Sequence, residues 1–156
     1  MSQRRGDLLD GLHEARALAG HTEQCVRRIL ACASLHDEQR LKMDAVLDQT
    51  IEQRWLLGQC VRRINDVDEA DYEAESDTSI TPAGACVADQ KGATALHSLH
   101  CAMRREVDIY AGLIETAEGT GLFETKWVCE RILLKKTTVI EWLAAAGRLE
   151  TPSRSR

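Results

Sequence analysis

The chain has 156 residues, 44% hydrophobic and 29% charged but only 4% aromatic, a length that suits one domain with a sizeable core. Ten glycines and two prolines are too few for a β-sandwich, a collagen-like chain or a long linker protein, and Pro82 and Pro152 leave residues 1–81 and 83–151 free of the strongest helix breaker. The net charge of −5 argues against a general nucleic-acid binder; seven acids crowd into residues 66–77, so the rest of the chain carries a slight basic excess.

The opening Met1-Ser2-Gln3-Arg4-Arg5 is basic, but Asp7, Asp10 and Glu14 interrupt any signal-type apolar region. No apolar run approaches the ~20 residues of a membrane span. The expectation is a cytoplasmic protein with reduced cysteines, and the six (25, 32, 60, 86, 101, 129) contain no Cys-x-x-Cys of the zinc-ribbon or thioredoxin kind.

Helical periodicity then places four elements. Leu8, Leu12, Ala15, Ala19, Thr22, Val26, Ile29 and Ala33 share one stripe and predict a helix over 8–33. Ser34, with Asp37 three residues on, offers an N-cap for a second helix over 36–65, whose inner stripe runs through Leu41, Ala45, Val46, Thr50, Gln53, Leu57, Val61 and Ile64. So short a connection makes these two antiparallel neighbours. Residues 66–87, acidic and then broken by Pro82, read as a long crossover. This acidic segment either contacts a basic protein partner or keeps the bundle soluble.

A third helix over 88–118 puts Leu96, Leu99, Met103, Val107, Tyr110, Ile114 and Ala117 inward, and Gly119-Thr120-Gly121 ends it. A fourth over 122–146 carries Val128, Cys129, Ile132, Leu133, Val139, Ile140 and Leu143, stops at Gly147 and leaves 148–156 as a basic tail. Two tight hairpins joined by one long connection predict an all-α, ferritin-like four-helix bundle within residues 1–147.

Chemistry in such a bundle is carried by polar groups on the inner stripes. Glu106 interrupts Leu99, Met103, Tyr110; Lys136 interrupts Cys129, Leu133, Ile140; Gln49 and Gln53 lie on or beside the inner face of the second helix. A lone carboxylate there costs several kcal/mol unless it is paired, protonated or metal-bound. Two fates are open to Glu106: a metal ligand or partner of a buried cation, or rotation to the flank to meet Arg or Lys in water. Lys136 can likewise snorkel outward on its apolar stem.

Glu106-Val-Asp-Ile-Tyr110 resembles the Glu-x-x-x-Tyr segment in the third helix of the YciE/YciF family of bacterial ferritin-like stress proteins. The first-helix run from Leu9 to Leu18 and the closing Ile140-Glu-Trp-Leu143 are similar to that family's corresponding segments, so the likeness spans residues 8–145. It implies a stress-associated role and a homodimer formed through helix faces. Members carry carboxylates, sometimes with a histidine, on four inner stripes, as a di-iron site needs. This chain departs from that pattern: Ala19 stands at the first-helix Glu position, Val46-Leu-Asp-Gln49 replaces His-x-x-Glu, and Lys135-Lys136 replaces a Glu-Glu pair. Only Glu106 remains.

One carboxylate cannot balance two irons. An ion pair of Glu106 with Lys136 or Lys135, attracting by about 4 kcal/mol at ~4 Å before desolvation, is expected in place of the metal. No cofactor is then expected, and the role is non-catalytic binding or structure.

Two rivals compete with this reading. One is a metal oxidase on the unusual ligands Glu106, Glu130 and His100. The other is storage or sensing of a soft metal, zinc or copper, through Cys/His pairs: His21–Cys25, Cys32–His36, and His97–Cys101 with His100 beside them. Cys25 and Cys32 lie ~10 Å apart along a helix axis, too far to share one ion. No Gly-x-Ser-x-Gly, P-loop or dinucleotide fingerprint supports nucleophilic or nucleotide chemistry. Trp55, Trp127 and Trp142 read as packing residues, or as an oligomer interface where exposed.

Overall fold

The computed structural model describes residues 2–32, 34–65 and 92–150. Four long helices make up nearly all of them: α1 (Ser2–Cys32), α2 (Asp37–Asn65), α3 (Gly92–Thr120) and α4 (Phe123–Glu150). The chain is an all-α four-helix bundle. The predicted crossover 66–87, the first residues of the predicted third helix, Ala33 and residues 151–156 lie outside the described residues.

The core residues give the direction of every helix. One apolar cluster joins Leu8 and Leu12 of α1, Val61 and Ile64 of α2, Leu113 and Ala117 of α3, and Cys129 of α4. A second joins Val26 and Ile29, Met43 and Val46, Leu96 and Leu99, and Val139 and Leu143. Thus α1 and α4 begin at the end of the bundle where α2 and α3 finish. Helices α2 and α3 therefore run parallel, as the ferritin-type order requires; in an up-down-up-down bundle α3 would start where α2 stops. The hairpin partners α1–α2 and α3–α4 pack closely, as does α1 on α3, whereas α2 and α4 are the most loosely packed of the neighbouring pairs.

The ends are set by local chemistry. α1 begins six residues before the expected Leu8, and its added turns serve other helices. Arg5 donates to the carbonyl of Ile64 in the last turn of α2, and Arg4 lies beside Gly119 near the end of α3. Both guanidinium groups sit at helix C-termini, where positive charge is favoured.

The α2 cap is His36, not Ser34. Its carbonyl accepts from Arg40 N at 2.9 Å, and the Gln39 side chain accepts from His36 N at 3.1 Å, the reciprocal half of a capping box. α3 closes as expected at Gly121, with φ of +79°: Gly121 N donates to Glu118 O and Leu122 N to Ala117 O, the two bonds of a Schellman motif. α4 runs to Glu150, past Gly147, whose cost inside a helix is only ~1 kcal/mol.

The inner stripes hold apart from the start of α2 and Val107, which is half-buried and belongs to neither apolar cluster. Leu41 is 71% exposed and Ala45 is exposed, while Met43 fills the core with Val46. Counting back from Val46 by three reaches Met43, and Leu41 falls on the opposite face of the helix. Gly11 allows the close approach of α1 to α3, since a Cβ there would lie 2.6 Å from Leu113 Cδ2.

Gly121 has no atom within 4 Å of where a Cβ would stand, so Gly121→Ala tests backbone conformation alone. It should lower stability by about 1 kcal/mol in urea denaturation, without changing the helical circular dichroism.

Candidate functional site

Between the two apolar clusters lies a polar layer to which all four helices contribute. Glu106 on α3, 1% exposed, stands at its centre. Thr22 of α1 donates its hydroxyl to Glu106 Oε2, and Lys136 of α4 donates to the same oxygen from 3.1 Å. Gln53 of α2 donates from Nε2 to Glu106 Oε1 at 2.9 Å and also to the hydroxyl of Tyr110, one turn along α3. Thr22, Gln53, Lys136 and Tyr110 are all buried. Thr50 completes the layer and turns its own hydroxyl back to Val46 O at 2.8 Å.

The electrostatics follow from this burial. Desolvation lowers the pKa of Lys136, and the charge and hydrogen bond of Glu106 oppose that shift. Burial first, and then the Glu106 charge, hold Tyr110 well above its ordinary phenol pKa, so it stays a neutral hydroxyl.

A second ion cluster flanks the layer on the α1–α2 side, where Glu23 meets Arg54 across the helices and Arg27 one turn on at 2.9 Å. Burial alone would raise Glu23, but the two guanidinium groups outweigh it and its pKa is lowered.

A cleft opens between α2 and α4, the most loosely packed pair of neighbouring helices. Gln49, Thr50, Gln53, Arg131 and Lys136 line it, so it leads from the surface to the polar layer. Lys135 and Glu52, 3.2 Å apart, pair across this gap.

The residues expected to form an ion pair do so, with the choice settled between the two lysines: Lys136 reaches Glu106, and Lys135 pairs with Glu52 at the surface. Glu106, Glu130 and His100 do not come together. His100 lies six residues before Glu106 on α3, about 9 Å toward one end of the bundle. Glu130 lies six residues before Lys136 on the oppositely directed α4, as far toward the other end, and its carboxylate is 3.9 Å from Lys126. Ala19 is in the core and Gln49 lines the cleft.

The sequence reading missed Thr22 as a site residue and counted it with the apolar stripe. Its position three residues after Ala19 on the same stripe was the available signal. Among the paired Cys and His residues of α1, His21 is exposed and Cys25 is half-buried, with burial raising its thiol pKa. His36 is exposed, and the side chain of Cys32 lies outside the described residues. Trp142 is partly buried beneath Lys42, whereas Trp55 and Trp127 are exposed.

The layer does not fit a di-iron centre. Such a centre needs several anionic oxygens facing inward. Here Thr22, Gln53 and Lys136 all present donors, and they converge on one carboxylate. The polarity is the inverse of a metal cage.

No family model matches the chain, and no curated protein does. A crystal structure of a protein from Xanthomonas campestris pv. campestris is similar, with a TM-score of 0.76 and 20% identity over 94% of this chain and 92% of that one. At that identity the likeness speaks for the fold alone.

Removing one partner of a buried pair strands the other charge. Lys136→Met should therefore destabilise the protein by about 3–5 kcal/mol, whereas the double variant Glu106→Gln/Lys136→Met should recover most of that loss. Urea denaturation of the two single variants and the double variant measures the cycle.

Proposed function

We propose that the protein is a ferritin-like, stress-associated bundle of the YciE/YciF kind in which an internal ion pair stands in for the di-iron centre. On this reading it acts in the cytoplasm as a binding or structural protein without catalysis. The observation that carries the reading is the Lys136 ammonium, 4% exposed and 3.1 Å from Glu106. A divalent ion entering there would meet a fixed positive charge and a single carboxylate already holding three donors. The parallel order of α2 and α3 agrees with the ferritin type, and the Glu106-to-Tyr110 segment supports the family. No described helix is long and apolar enough to cross a membrane.

A homodimer belongs to the same reading. Arg63–Glu124 and Glu52–Lys135 pairs align α2 with α4, and at that level Trp55, Phe123, Trp127 and Leu134 are each at least 50% exposed on the outer sides of the two helices. Aromatic and aliphatic groups gathered in this way supply apolar surface for a second copy.

Anaerobic Fe²⁺ addition followed by oxygen should leave no iron with the protein after desalting and no oxo-to-iron charge-transfer band. Two irons retained per chain would overturn the proposal. For the dimer, light scattering should give twice the 17.4 kDa chain mass, and Trp127→Glu should halve it; a monomeric parent protein removes this part of the reading.

A further inference from the structure

A separate cluster stands on the first turns of α3, away from the buried layer. His97, His100 and Cys101 occupy positions i, i+3 and i+4, the spacing that brings three side chains onto one helix face. One ligand atom from each lies within 4.8 Å of the others. Cys101 Sγ is 3.6 Å from His97 Nε2, and the two imidazoles stack with ring centroids 6.4 Å apart and planes at 21°.

With Zn–N of about 2.0–2.1 Å and Zn–S of about 2.3 Å, the nitrogen-to-sulfur edge of a tetrahedral zinc site is about 3.5 Å. The His97–Cys101 pair already has that separation.

We propose that His97, His100 and Cys101 form a three-ligand site for a zinc-type ion, with the fourth position open to water or an exogenous ligand. Two imidazoles and a thiolate select a borderline or soft ion, and the absence of a carboxylate from the trio disfavours magnesium and calcium. Binding replaces the proton of the Cys101 thiol, which passes to solvent. His97 and Cys101 are exposed, so an ion reaches them without opening the bundle. The His21–Cys25 pair on α1 offers only two ligands. This site shares no residue with the Glu106 layer, so its failure leaves the ion-pair reading untouched.

The test is titration of the reduced, metal-free full chain with Zn²⁺ against a chromophoric chelator. One equivalent should bind. His97→Ala or Cys101→Ser should weaken binding by more than the roughly 10–100-fold that loss of a mere supporting partner costs. His21→Ala, a control at an exposed His/Cys pair, should change nothing. Circular dichroism verifies that each variant keeps its helices.

Co²⁺ substitution of the unaltered protein gives a second readout that needs no variant. It should show tetrahedral d–d bands and a thiolate charge-transfer band. A weak octahedral spectrum without that band, Zn²⁺ binding unchanged in Cys101→Ser, or equal loss in His21→Ala would each overturn the site.

Discussion

A buried carboxylate that accepts from three other helices is the constraint on which this bundle turns. Glu106 has no water to fall back on, so its charge must be met by Thr22, Gln53 and Lys136 together. Each partner comes from a different helix. A slip of any one helix by a turn, 5.4 Å, would carry its donor out of reach and leave the charge stranded. The apolar clusters on either side tolerate such slips better, because one Leu or Val can replace another in a packed layer. The polar layer thus acts on register, and the clusters supply most of the burial energy.

The same arrangement bears on chemistry. A bundle of this type can hold metal where inner-face carboxylates converge on a central space. Here the convergence is reversed: a hydroxyl, an amide and an ammonium point at a carboxylate. The ammonium does what a metal would do for Glu106, neutralising it, but as a fixed covalent part of the chain. Tyr110 is bound into the network through Gln53 and stays protonated.

Away from the layer, the surface divides its tasks among the helices. The α2–α4 gap is crossed by the Glu52–Lys135 pair, and Trp55, Phe123 and Trp127 stand exposed on the same two helices. Helix α3 instead presents imidazoles and a thiol near its start. The inner layer holds one carboxylate among hydrogen-bond donors, while two imidazoles and a thiol gather on the outside of α3.

Much of this architecture was legible in the chain itself. Apolar spacing of three and four residues fixes which faces turn inward, because only those faces can leave water, and Gly121 marks the end of α3 because it alone accepts the left-handed turn there. The position of Glu106 and Lys136 on inner stripes could likewise be read from periodicity. Helix ends were less legible: the added turns of α1 depend on carbonyls of α2 that are distant in sequence, and Leu41 lost its inner place to Met43 through a difference of two residues in phase. What only the folded chain could decide was the pairing itself. Lys135 and Lys136 are neighbours in sequence, and the rotation of α4 about its axis sends one to Glu52 and the other to Glu106. The part played by Thr22 was settled in the same way, because a hydroxyl on an apolar stripe has no evident task until another helix brings a charge to it.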